Sequence, residues 1–198
     1  MFRVVLALAI GAVAIAAFVQ PPKPRPRMAP APAQALERPA AEGLVALGAP
    51  GLLARIEHTQ AKGVLVNVWA SWCGSCKADL PMLVGLRKVF GTNIDVLLVS
   101  VDEPSALPKA AEMLRGFGAA SPNFVVDQPL DAFKAAIDPR WAGMLPATFL
   151  FDPTGHVRYF WGGPVHEDEI TPLLRRYLAG EHIDGRSDFT LAPGAVTR

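Results

Sequence analysis

Two cysteines stand three residues apart in this 198-residue chain, and they are its only ones. Cys73-Gly74-Ser75-Cys76 follows an apolar run, Val64–Trp69 (VLVNVW), and precedes a stretch of helical apolar spacing that reaches about Phe90. A strand ending at the cysteines and a helix beginning there put Cys73 at a helix N-terminus. Free N–H groups and the helix dipole favour a thiolate at that position. The thiolate is the attacking species of thiol–disulfide exchange, so a lowered pKa makes Cys73 the nucleophile at neutral pH. Cys76, one turn later on the same face, is close enough to attack the resulting mixed disulfide and release the partner.

Other chemistries of a C-x-x-C pair fit less well. A zinc site lacks its other half: there is no second cysteine pair, and His58, His156, His166 and His182 show no H-x₃₋₅-H spacing. Two soft thiolates suit Cu(I), so a Cu(I)-binding chaperone is the alternative reading. It needs a third ligand, and no histidine is local to the pair in sequence. A purely structural bridge is disfavoured because closing so short a loop removes little chain entropy. Redox exchange is therefore expected, with no cofactor and no metal.

The elements that must hold the pair follow from pattern. Gly51–Ala61 reads as a helix, with Leu52, Leu53 and Ile56 at helical spacing. Val64–Trp69 and Ile94–Val101 are near-continuous apolar runs, the mark of strands covered on both faces. Leu107–Phe117 and Leu130–Ile137 read as helices, and Phe124–Asp127 as a short strand between them. Ala147–Phe151 and His156–Trp161 flank Asp152-Pro-Thr-Gly155 and read as a hairpin. Glu167–Leu178 closes the body as a helix, with acids in its first turn and arginines near its end, as the macrodipole favours. Strands alternating with helices imply βαβ units around a central sheet.

Composition bounds the rest. Residues 1–40 carry five basic side chains against one acidic, which leaves the remainder of the +1 chain at −3. A mildly acidic body lacks the basic stripe of a nucleic-acid binder. Val4–Val19 is sixteen residues without a charge. As a helix it would be about 24 Å long, so residues 1–20 read as a membrane anchor, or failing that a signal segment. Seven prolines between Pro21 and Ala40 make residues 21–44 an extended linker. Residues 45–180 are the expected domain and 181–198 a flexible tail. Lys23, Arg25 and Arg27 follow the apolar run, and the positive-inside rule would hold them in the cytoplasm. That orientation conflicts with an exported domain.

The run VLVNVWASWCGSCKADLP resembles the active-site segment of thioredoxin-like proteins. The apolar start and long middle resemble the membrane-tethered TlpA/ResA/DsbE-like branch. The resemblance covers about residues 45–180 and implies an α/β thioredoxin-like fold: a central mixed sheet flanked by helices, with a central βα insertion around Leu107–Ile137. It also implies a thiol:disulfide oxidoreductase acting outside the cytoplasm, as a reductase of protein disulfides, apocytochrome c among its clients. A membrane-embedded electron donor, a monomeric state and a domain facing the periplasm or cell exterior go with it. By the same resemblance Pro81 is the proline of the active-site helix, and Leu145-Pro146 is the cis-proline segment that pairs with the substrate strand. Trp72, Gly74 and Ser75 then border the substrate, and Lys77 is helix surface. Trp141 is a second aromatic considered for the groove, though buried aromatics are more often core. Asn67 stands where cytosolic thioredoxins carry a buried aspartate. Asp79, one turn beyond Cys76, takes over the proton handling that such an aspartate would provide; a partly desolvated carboxylate there has a raised pKa. A related peroxidase would set its reacting cysteine in a Thr/Pro-flanked loop, which Trp72-Cys73-Gly74 is not.

Overall fold

All seven residues of Gly63–Trp69 are buried, as their unbroken apolar run requires. The computed structural model describes residues 37–41 and 43–188, so the expected anchor and most of the expected linker lie outside the described residues. In chain order the elements are β1 (Arg38–Ala41), β2 (Leu44–Leu47), α1 (Ala49–Glu57), β3 (Gly63–Trp69), α2 (Gly74–Phe90), β4 (Ile94–Ser100), α3 (Leu107–Gly116), β5 (Asn123–Val126), α4 (Leu130–Ile137), β6 (Ala147–Phe151), β7 (Val157–Gly162), α5 (Glu167–Leu178) and β8 (Gly185–Asp188). No helix among them is long and apolar enough to cross a membrane.

The strands form one mixed sheet in the order β1-β2-β5-β4-β3-β6-β7-β8. β3 lies at its heart, parallel to β4 and antiparallel to β6. Side chains alternate across a strand, and β3 divides its residues accordingly. Leu65 and Trp69 join a core with α2, α3 and α5. Val64, Val66 and Val68 join a second core with α1, α4 and the aromatic residues of β6. The helices thus cover both faces, which is why β3 and β4 read as continuous apolar runs rather than alternating ones. The Leu107–Ile137 stretch, where a central insertion was expected, holds α3, β5 and α4, and β5 sits between β2 and β4 in the sheet.

Three strands depart from the sequence reading. β1 and the first residue of β2 fall within 21–44, expected to be linker; β1 pairs with β2, and β2 with β5. β8 pairs in parallel with β7, where 181–198 was expected to be a flexible tail. Each is four residues long, and β8 (GRSD), with no apolar side chain, is held from outside itself. Ile183 just before it is buried, and the Arg186 guanidinium stands over the Phe160 ring. The first helix also starts earlier and ends sooner than its apolar spacing indicated, because Pro50 opens it and His58 caps it. The hairpin holds as read: Asp152 Oδ1 accepts the Thr154 and His156 N–H groups, and Gly155 takes the positive φ of 81° that closes the turn.

Candidate active site

The chain leaves β3 at Trp69 and turns before α2, with the Cys73 N–H donating to the Ala70 carbonyl at 3.1 Å. Cys73 is the N-cap of α2, and its Sγ accepts the Cys76 N–H at 3.2 Å. Cys73 and Cys76 are joined in a disulfide. They differ in access: Cys73 is 8 % exposed and Cys76 0 %. Of the two, Cys73 is the one open to an incoming sulfur. Helix N-terminal N–H groups at this position stabilise sulfur-borne negative charge once the bond opens. Pro81 lies inside α2, where its missing N–H leaves the Lys77 carbonyl without its helical donor.

Beside the cysteines in the chain, Trp72 is 66 % exposed, and Gly74, Ser75 and Lys77 are also on the surface. The Ser75 hydroxyl lies 3.5 Å from Cys73 Sγ. A Cβ at Gly74 would meet nothing within 4 Å, so nothing steric demands glycine there. The register brings the second expected segment alongside: Val68 of β3 pairs with Ala147 of β6, so Pro146 lies beside the turn that carries the cysteines. The Leu145–Pro146 bond is cis, and Leu145 packs against the core cluster to which both cysteines belong. Trp141, considered for the groove, is instead core. It is 3 % exposed and stands edge-on to Phe149, and its indole N–H donates to the Met144 carbonyl at 2.9 Å.

Asp79 is buried, 7 % exposed, one turn along α2 from Cys76. Its Oδ2 accepts the Val165 N–H at 3.1 Å from the loop between β7 and α5. Burial pushes its carboxyl up to about 6, against the smaller opposing pulls of that hydrogen bond and of His166. An open groove of about 350 Å³ runs past it, lined by Ser75, Met82, Val165 and His166 among others. Asp79 thus has a route to solvent along α2 beside the disulfide. Asn67, under the same helix, donates from Nδ2 to Thr148 Oγ1 at 2.9 Å, while its Oδ1 finds no protein partner.

One residue of this region escaped the sequence reading. Asp102 follows β4 and is buried. It accepts the Ser71 N–H and the Ser71 hydroxyl, each at 2.8 Å, and the Ser100 hydroxyl at 2.7 Å. The available signal was positional: Ser71 and Asp102 each lie two residues past the C-terminal end of a buried strand. Among the described residues no group of three or more His, Cys, Asp or Glu could hold a metal ion.

Comparison with known proteins agrees with this geometry. The chain is 31 % identical over 120 residues to the thiol-disulfide oxidoreductase ResA of Geobacillus kaustophilus, covering 59 % of this chain and 63 % of that protein. It is 32 % identical over 145 residues to the thiol:disulfide interchange protein HelX of Rhodobacter capsulatus, covering 73 % of this chain and 76 % of that protein. The chain thus spans just under two thirds of the Geobacillus relative's length. In structure it is similar to a thioredoxin-like protein solved in its oxidised form, with a TM-score of 0.51 at 22 % identity over 63 % of this chain and 82 % of that one. The AhpC/TSA family model matches residues 51–160, from α1 through both cysteines and the cis-proline to β7. The chain belongs to the AhpC/TSA family of thioredoxin-like proteins.

Proposed function

We propose that this protein is a thiol:disulfide oxidoreductase that reduces protein disulfides outside the cytoplasm. The observation that carries the reading is the asymmetric pair: a cysteine at the surface end of α2, bonded to one fully buried behind it. The names of the relatives, thiol-disulfide oxidoreductase and thiol:disulfide interchange protein, support it.

In the reduced protein the Cys73 thiolate attacks one sulfur of a client disulfide. A Cys73–client mixed disulfide forms and the other client sulfur leaves as a thiolate. Asp79, the nearest buried carboxylate along α2, takes the proton from the Cys76 thiol. The Cys76 thiolate then attacks Cys73 Sγ, the mixed disulfide breaks, and the second client sulfur leaves and is protonated. The Cys73–Cys76 disulfide of this structure is the product state. A dithiol donor, membrane-embedded in this reading, reverses it by the same two exchanges. Trp72, Gly74 and Ser75 border the client, and Leu145 with Pro146 receives its strand. Clients awaiting haem attachment, such as apocytochrome c, suit a tethered reductase of this kind.

The test is the potential of the pair together with trapping. The full chain, equilibrated in thiol buffers, is expected to titrate at or below about −220 mV. A value above about −150 mV overturns the direction and makes the protein an oxidant of its clients. Cys73→Ser is expected to abolish reduction of a disulfide-bonded peptide, and Cys76→Ser to accumulate the mixed disulfide. Activity surviving Cys73→Ser removes the reading altogether.

A further inference from the structure

Cys73 acquires its N-cap geometry from the turn Ala70–Cys73, and that turn is pinned at one point. Its first central residue, Ser71, gives both its polar hydrogens to a single buried carboxylate: the N–H to Asp102 Oδ2 and the hydroxyl to Asp102 Oδ1. The carboxylate is itself fixed from β4. Ser100 donates its hydroxyl to Asp102 Oδ2, and the Asp102 N–H donates back to Ser100 Oγ at 2.9 Å. The Val101 N–H donates to the Trp69 carbonyl, so the ends of β3 and β4 are stitched together where the turn begins. Ser71, Ser100 and Asp102 are all buried, so these charge-assisted bonds are shielded from solvent competition. The second central residue, Trp72, makes no such contact and stands out into solvent.

We infer that Ser71 and Asp102 are positioning residues for Cys73: the carboxylate locks the turn so that Sγ sits on the α2 N-terminus and Trp72 points outward. This rests on the exchange reading above for its purpose, though not for its test. A turn free to rock would move Cys73 Sγ away from the Cys76 N–H, and the thiolate would lose part of its stabilisation.

Ser71→Ala is the informative change because it removes the hydroxyl bond and leaves the Asp102 charge in place. Asp102→Asn would remove a negative charge near the thiol at the same time and blur the sign. The readout is the rate of Cys73 alkylation by iodoacetamide in the reduced full chain against pH. In Ser71→Ala the midpoint should move up by about half a unit, slowing alkylation about three-fold at pH values below it. The plateau at high pH, where the thiol is fully ionised, should stay at the starting value. Ser71→Thr keeps the hydroxyl and should restore the original midpoint. A general loss of stability would lower neither rate in this pattern, and thermal melts of both variants check for it. An unshifted midpoint in Ser71→Ala overturns the inference, as does a Ser71→Thr profile that moves with Ser71→Ala. The alkylation profile needs no client, so a protein that fails to reduce disulfides can still confirm or refute the positioning role.

Discussion

The two faces of β3 are built from one seven-residue strand and do different work. Val64, Val66 and Val68 look onto Leu52, Ile56, Phe133 and the Phe149–Phe151 pair, a largely apolar, dry layer against which the Arg55 guanidinium packs over the Phe124 ring. Leu65, Asn67 and Trp69 look onto the layer that contains both cysteines. There the Asn67 Oδ1 and the Trp69 Nε1 are buried with no partner in the protein, and Asp79 keeps a carboxyl raised to about 6. Buried polar groups without partners each cost on the order of 1–3 kcal/mol. The dry face therefore supplies the stability against which the redox face carries its polar groups. The same division explains why the site sits at the C-terminal end of β3: that is where α2 can start directly over the polar face.

The largest test of this division is on the dry face. Phe149 stacks on Phe160 at 4.8 Å between ring centres, meets Trp141 edge-on at 5.6 Å, and is fully buried. Phe149→Ala should lose about 3–5 kcal/mol of stability in urea unfolding. Oxidised and reduced forms should lose it equally, leaving the potential of the Cys73–Cys76 couple within about 10 mV of its starting value. A shift of 30 mV or more would mean the two faces are energetically coupled and the comparison fails.

A smaller effect, of opposite sign, is expected on the redox face. The Asp79 carboxyl titrates near 6 in the folded chain against 3.8 as its ordinary value. The protonated form is the one the fold prefers. Its favourable contribution is complete below about pH 4 and is lost as pH rises through 6. Asp79→Asn keeps an acceptor for the Val165 N–H and cannot ionise. It should match the parent protein at pH 4 and exceed it in stability by about 2–3 kcal/mol at pH 8. The rate at which Cys76 resolves a mixed disulfide should lose its inflection near pH 6 in the same variant. A stability difference that does not change with pH would show the carboxyl to be solvated, and would leave Cys76 without its proposed proton acceptor.

How much of this was legible in the chain depended on where the cause lay. α4 and α5 match their sequence ranges, since α4 is bounded by Pro129 and Asp138 and α5 carries three acids in its first turn. β3 and β4 match within a residue because burial on both faces leaves a nearly continuous run of apolar side chains. β8 was invisible: its four polar residues are a strand only because β7 offers them an edge, and no local pattern encodes that. The site divides in the same way. Cys73 and Cys76 announce themselves by spacing. The burial of Asp79 is made by Val165, 86 residues away, so local sequence left a solvated helix surface equally open. Asp102 offered one more acid after a strand, and its meaning comes from Ser71, 31 residues earlier. Trp141 was open to a place beside the groove or, as is commoner for an aromatic, in the core, and its ring joins the dry layer.

The mildest change asks whether Asn67 is kept for stability at all. Its Nδ2 bond to Thr148 Oγ1 is worth about 1 kcal/mol, and its unmet Oδ1 costs a similar amount or more. Valine at this position removes both, and apolar branches of that size fit a strand whose other central residues are Leu65, Val66 and Val68. Thr148 loses one donor but keeps a hydroxyl that can turn toward a backbone carbonyl. Asn67→Val should therefore change unfolding stability by less than about 1 kcal/mol, and in the stabilising direction if in either. A loss of about 3 kcal/mol would make the Asn67–Thr148 pair a structural tie. The redox face would then contribute to the fold as the valine face does, and the polar atoms beneath Cys76 would need no functional reason. A null effect on stability, with Asn67 as the one polar residue in β3, leaves the chemistry above it as the reason an amide is buried there.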